Sequence, residues 1–179
     1  MSPSGRGPDL RLHLLRHADA GDPARWAGGD ADRPLSEKGE LQAERLGSFL
    51  AELGFLPDAI ISSPKARARQ TAAIVAAALG VAVRIDERLG EGLDPAIVDA
   101  ILADAGDPGR PLLVGHDPDF SHLLGWLARA DELTMKKGAL AKVDVRGTVA
   151  GGKGTLRWLI PPDLLEPSRE EHDEGPGRS

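Results

Sequence analysis

The chain has 179 residues, 41% of them hydrophobic, enough for one domain with a buried core. Its 22 Lys and Arg against 28 Asp and Glu leave a net charge of −6, which argues against a nucleic-acid binder held by phosphate neutralisation. Aromatics at 3%, with no Tyr, argue against a base-stacking platform, and the absence of Cys excludes disulfides, a thiolate nucleophile and Cys-ligated metal sites.

The opening MSPSGRGPDL is polar and rich in Gly and Pro, so 1–9 reads as a flexible N-terminus. No segment approaches the ~18 continuous apolar residues of a membrane span, and the chain reads as cytoplasmic. Leu10 to Leu15 is a short apolar run ending at Arg16-His17, a first strand feeding a long irregular loop to Arg33 that holds Gly21, Pro23, Gly28 and Gly29. From Ser36, a fitting N-cap, Leu41, Leu46, Phe49, Leu50 and Leu53 recur at helical spacing up to Gly54.

Asp58 to Ser62 reads as a second strand, followed through Ser63-Pro64 by a helix carrying Thr71, Ile74, Val75, Ala78 and Leu79 and ending at Gly80. Val81 to Ile85 is a third strand, Pro95 to Leu102 a helix capped by Asp94, and Pro111 to Val114 a fourth strand. Gly115-His116-Asp117-Pro118 then leads into a helix whose Phe120, Leu123, Leu124 and Leu127 form one apolar stripe. Strands Ala139 to Val145 and Thr155 to Ile160 flank a Gly151-Gly152-Lys153-Gly154 turn. This alternation predicts an α/β domain over 10–160, a single mostly parallel central sheet of about six strands with helices on both faces. The composition beyond Pro161 reads as a disordered tail over 161–179.

In such sheets ligands bind beyond the carboxyl ends of the strands. The reactive residues standing there are Arg16 and His17 after the first strand, Ser62, Ser63 and Arg67 after the second, and His116 after the fourth. Two guanidinium groups can grip the oxygens of a phosphoryl group, a neutral imidazole is a competent nucleophile near neutral pH, and a helix N-terminus at Pro64 adds positive field. Arg69 is the alternative to Arg67, and Arg33 either caps the pocket or is solvated. His13, His17 and Asp19 share one face by parity, so a metal-ligand set is conceivable there, while His122 beside the apolar stripe reads as structural. Met135-Lys136-Lys137 reads as a solvated edge, with the alternative that it presents charge to an acidic partner.

Leu14-Leu15-Arg16-His17, Arg33-Pro34-Leu35-Ser36 with Gly39, Ser63-Pro64 with Arg67, Gln70 and Thr71, and Val114-Gly115-His116 with Pro118 together resemble the histidine phosphatase superfamily. The short length and the Arg-Pro-Leu-Ser block resemble its SixA-type phosphohistidine phosphatases more than its phosphoglycerate mutases, over roughly Leu12 to Val145. Ala18 stands where the superfamily pattern usually has Gly. The resemblance implies a phosphoglycerate mutase-like fold in which His17 is the nucleophile, forming a covalent phosphohistidine. It further implies that Arg16 and Arg67 bind the phosphoryl oxygens and that a protonated His116 stabilises the transferring group.

No cofactor or metal is implied. For an ester substrate the family's general acid would follow the third strand, where Glu87 fits best and Glu91 second. An imidazole leaving from phosphohistidine can depart already protonated and needs less help. The expected activity is therefore a metal-independent phosphatase for protein phosphohistidine, with a phosphorylated protein as partner. The alternatives are a small-molecule phosphomonoesterase on a small phosphoester and a non-catalytic phosphate-binding module.

Overall fold

Strand β1 (Leu10–Arg16) is buried at most of its positions because both of its faces are covered. Leu12 and Leu14 point to one side of the sheet and Leu15 to the other, so consecutive residues feed two separate cores. The computed structural model describes residues 9–167. Within them β1 is followed by α1 (Glu37–Glu52), β2 (Ala59–Ser62), α2 (Ala66–Leu79), β3 (Val83–Ile85), α3 (Val98–Asp104), β4 (Pro111–Gly115), α4 (Asp119–Ala128), β5 (Leu140–Val145) and β6 (Gly154–Ile160).

The six strands form one sheet in the order β3-β2-β4-β1-β5-β6. β3, β2, β4 and β1 run parallel, β5 lies antiparallel to β1, and β6 antiparallel to β5. Leu12, Leu14, Ile61 and Leu113 meet α3 and α4 through Val98, Ile101, Phe120, Leu123, Leu124 and Leu127. Leu15, Ile60, Leu112 and Val114 meet α1 and α2 through Leu46, Leu50, Ala68, Ala72 and Val75. The expected α/β class and mostly parallel six-stranded sheet are thus the architecture found. Among the described residues no helix is long and apolar enough to cross a membrane.

Local differences have plain causes. α2 begins at Ala66, because Ser63 and Pro64 are used in the turn that leaves β2, and no side chain caps the helix. Its C-terminus is as expected, with Gly80 left-handed at φ 68°. The segment from Pro95 starts as a 3-10 turn, Pro95–Ile97, capped by Asp94, before α3 continues it. The long loop after β1 contains two 3-10 turns, Pro23–Arg25 and Asp30–Asp32. Past β6, Pro162–Leu165 forms a further 3-10 turn and Leu165 packs on the α1/α2 core, so packing continues beyond residue 160, where the sequence expectation placed a tail. The remainder of that expected tail, and 1–8 of the expected N-terminus, lie outside the described residues.

The Arg-Pro-Leu-Ser block is architecture. Ser36 Oγ accepts the Gly39 N–H as the N-cap of α1 and donates to the Asp19 carboxylate at 2.6 Å, while Ser36 N–H donates to the Asp19 carbonyl. Leu35 is buried, and its N–H is held by Gln70 Oε1 at 2.7 Å. Gly39 lies so close to Asp19 that a Cβ there would overlap the Asp19 carbonyl oxygen. Gly39→Ala is therefore expected to destabilise the fold by about 2 kcal/mol or more, the cost of backbone displaced by overpacking. Urea unfolding measures this, and an unchanged midpoint would remove the close approach as the reason for glycine.

Candidate active site

The pairing of β1 with β4 places Arg16 beside Gly115, so the residues immediately after, His17 and His116, come out side by side. Their ring centroids are 5.1 Å apart. β2 pairs with β4 through Ser62 and Val114, which brings Ser63 to the same edge, where Ser63 Oγ lies 2.7 Å from His116 Nε2. Arg67, in the first turn of α2, completes the group. The four residues expected from strand ends converge on one cleft of about 350 Å³, also lined by Arg33, Lys65, Lys137 and the carboxylates of Asp30, Glu91, Asp117 and Asp119.

His17 Nδ1 lies 2.7 Å from the Ala18 carbonyl oxygen, which can only accept, so the ring proton sits on Nδ1 and the lone pair on Nε2. Arg67 Nε–H donates to that Nε2 at 3.3 Å, which leaves the imidazole neutral and its reactive nitrogen toward the guanidinium. Burial is the main cause that lowers the His17 pKa to about 4, with the charges of Arg67 and Arg16 adding to it against the Ala18 carbonyl. His116 is lowered to about 3, first by burial, then by the repulsion that two charged rings at His17 and His116 would meet and by the charges of Arg67 and Lys65. The expected protonated His116 is thus corrected for the free protein, where the lowered pKa leaves the ring neutral near pH 7. If Ser63 donates to Nε2, the proton of His116 lies on Nδ1, an atom that is buried without a protein partner and ready to donate to a phosphoryl oxygen.

Arg16 donates from Nη1 to the Met135 carbonyl at 2.6 Å and to Asp117 at 3.3 Å, and its buried Nε also lacks a partner. The site therefore holds two buried donors unmatched by protein, one on Arg16 and one on His116.

Arg67 rather than Arg69 is the inward arginine, since Arg69 is exposed and Arg67 buried against His17. Arg33 is neither a solvated residue nor a free cap: it is buried, donating to the Ala20 carbonyl and to Asp30. Glu87 is exposed on a 3-10 turn and does not line the cleft, while Glu91 stands at its rim with a side chain 85% exposed, 3.2 Å from Lys65. His13 is buried by Phe55 and Trp158, and among the described residues no three His, Asp or Glu are grouped to hold a metal ion. His122 is exposed on α4 rather than packed in the core.

Three site residues were not singled out from the sequence. Asp30 receives both Arg33 and Arg67. Lys65 reaches Asp30 and Glu91, and Lys137, read as a solvated edge, reaches Asp19 at 3.3 Å and lines the cleft, while Met135 beside it is fully buried. Only the i, i+3 spacing of Asp30 and Arg33 was a usable signal.

The Histidine phosphatase superfamily (branch 1) model matches residues 12–93. A protein of Picosynechococcus sp. PCC 7002 without assigned function is 35% identical over 73% of this chain and 82% of its own length. A proposed phosphoglycerate mutase GpmB of Erwinia tasmaniensis is 40% identical over 46% of this chain but only 38% of its own length. A proposed phosphohistidine phosphatase SixA from Agrobacterium tumefaciens is 27% identical with a TM-score of 0.72, covering 86% of this chain and 98% of that one. The protein histidine phosphatase SixA complexed with tungstate shares the fold, with a TM-score of 0.76 at 24% identity over 88% of this chain and all of that one. The chain belongs to the histidine phosphatase superfamily. Within that superfamily, its fold is similar to those of the SixA proteins.

The buried histidines make acid stability a direct check. His13, His17 and His116 have folded pKa values of about 4, about 4 and about 3, below the unfolded value of 6.5. Between those values the unfolded chain binds more protons, so stability is full above the unfolded pKa and falls as pH drops toward the folded ones. The Tm is expected to decline from about pH 7 to about pH 4.5, less steeply in His17→Asn/His116→Asn. Parallel slopes in the two proteins would show that these histidines are not buried neutral.

Proposed function

We propose that this protein is a phosphatase that passes a phosphoryl group through a phosphohistidine on His17, and that its substrate is a phosphohistidine on another protein. The observation that carries the choice of substrate is the state of the four carboxylates lining the cleft. Asp30 is held by Arg33 and Arg67, Asp117 by Arg16 and Ser121, Asp119 by the Leu93 N–H, and Glu91 by Lys65. An alkoxide leaving group needs an acid poised to protonate it, whereas an imidazole can leave already protonated. The likeness to SixA supports the same choice. A larger groove of about 790 Å³ shares Asp117 and Pro118 with the cleft and runs along α4 past Trp126 and Arg129, leaving room for polypeptide around the phosphorylated side chain.

In this reading the phosphoryl group enters between His17, Arg16 and His116. Arg67 Nε–H moves from His17 Nε2 to a phosphoryl oxygen, which frees the lone pair for attack on phosphorus. The new N–P bond forms as the bond to the substrate imidazole breaks, and that imidazole departs with the electron pair and its proton. Arg16 Nε and His116 Nδ1 donate to the equatorial oxygens. Water then attacks the phosphorus of phospho-His17, releasing phosphate and restoring the imidazole. A phosphorylated protein partner and a cytoplasmic setting belong to the same proposal.

The test is incubation of the parent and His17→Ala, in chelator, with a phosphohistidine-bearing protein and with para-nitrophenyl phosphate, quenched without acid and weighed by mass spectrometry. A phospho-enzyme on the parent, absent in His17→Ala, with faster turnover of the phosphohistidine protein, is the expected result. Faster ester turnover that collapses in Glu91→Gln would instead make the protein a phosphomonoesterase using that rim carboxylate. Phosphoprotein binding without turnover would make it a binding module.

A second expectation concerns Ser63, which contacts no substrate in this reading but holds His116 Nε2. Ser63→Ala should lower kcat by about tenfold through misorientation of that ring, with a smaller change in KM. Steady-state kinetics separates the two, and an unchanged kcat would show that the ring is held by packing alone.

A further inference from the structure

Arg33 was the residue in the Arg-Pro-Leu-Ser block whose role the sequence left open, and its surroundings tie it to the nucleophile by an unbroken chain of hydrogen bonds. Its Nη1 donates to the Ala20 carbonyl at 2.7 Å, and its Nε and Nη2 both donate to Asp30 Oδ1 at 3.2 Å. All three nitrogens are thus committed to protein, and the guanidinium is buried. Asp30 in turn receives Arg67 twice, Nη1 on its carbonyl at 2.7 Å and Nη2 on Oδ2 at 2.9 Å. Lys65 Nζ is 3.5 Å from the same Oδ2. With one N–H of each terminal nitrogen anchored in this way, the fork is fixed in the orientation that presents Nε to His17 Nε2.

A free guanidinium can turn about its terminal bonds and offer any of its donors. One whose two terminal nitrogens are fixed by a backbone carbonyl and a carboxylate of the same residue presents its remaining donors in one orientation. We propose that Asp30, locked by Arg33, is the positioning residue that orients Arg67 toward the nucleophile and the incoming phosphoryl group. Arg33 acts behind it as the anchor of the Asp30–Asp32 turn, and not as a phosphate ligand.

The hydrogen bonds that link Asp30 to the nucleophile run through Arg67. The cost of removing it should therefore vanish once Arg67 is gone. This inference rests on the phosphatase reading, so its test has one arm that reads turnover and one that does not. In the first, kcat and KM are measured separately on the full chain for Asp30→Ala, Asp30→Asn, Arg67→Ala and Asp30→Ala/Arg67→Ala. Asp30→Ala is expected to lower kcat by about tenfold or more, with the smaller change in KM. Asp30→Asn keeps an oxygen for Arg67 Nη2 and should recover much of the loss. In the Arg67→Ala background the same change should cost less than about twofold.

In the second arm, the Arg67 Nε–H resonance is followed by ¹H–¹⁵N NMR. It should be protected from exchange in the parent and in the surface control Asp163→Ala, and should broaden or vanish in Asp30→Ala. A parent without turnover on any substrate would sink the phosphatase reading and leave the clamp to be judged on this resonance. An unmoved resonance, an equal loss in the Arg67→Ala background, or a lower KM with kcat intact in Asp30→Ala would each overturn the proposal. The last would make Asp30 an anion that competes with phosphate.

Discussion

The hydrogen bond from Arg67 Nε to His17 Nε2 is the interaction around which the carboxyl edge of the sheet is arranged. A guanidinium can donate to an imidazole nitrogen only while that imidazole is neutral, and neutrality is what nucleophilic attack requires. Burial enforces it, because a second positive charge beside Arg67 and Arg16 in a poorly solvated site would be strongly disfavoured. His116 obeys the same constraint a few ångströms away, so the free site holds two neutral rings among fixed cations. The carboxylates of the cleft are already engaged by its cations and backbone N–H groups, Asp30 by Arg33 and Arg67 and Asp117 by Arg16. Arg16 Nε and His116 Nδ1 stand beside them without a protein partner.

Holding that arrangement uses much of the sequence that touches no substrate. Thr71 Oγ1 accepts the Ala18 N–H and donates to the Arg67 carbonyl, linking the residue after the nucleophile to the helix that carries Arg67. Gln70 holds the Leu35 N–H and Gln42 holds the Asp19 N–H, so α1 and α2 together clamp the loop that follows β1. Asp19 gathers Ser36, Gly21 and Lys137 at the floor of the same loop. A stretch of sequence that reads as irregular is thus anchored at both ends.

The helices and strands were legible because each carries a periodic apolar pattern with recognisable ends, such as Ser36 and Gly54 around α1 or the stripe from Phe120 to Leu127 on α4. His17, Arg16 and His116 were legible because a reactive residue directly after a buried strand is displayed at a known edge of the fold. The resemblance pointed to Arg67, and the structure decided it over Arg69, since the rotation of α2 about its own axis sets which of two arginines two residues apart faces inward. Glu87 matched a pattern yet lies on the outer side of its 3-10 turn, because Asp86 caps that turn and Leu89 takes the buried position. Lys137 looked like a solvated edge because its partner, Asp19, lies far away in sequence.

By itself the sequence determined which elements form, that the sheet is mostly parallel, and which residues stand at its carboxyl edge, because these depend on local periodicity and on the alternation of strands with helices. The tertiary structure decided the protonation of the two histidines, the commitment of Arg33 to Asp30 rather than to solvent, and the partners of every carboxylate in the cleft. Those properties depend on burial and on distances between residues remote along the chain, which no local pattern encodes.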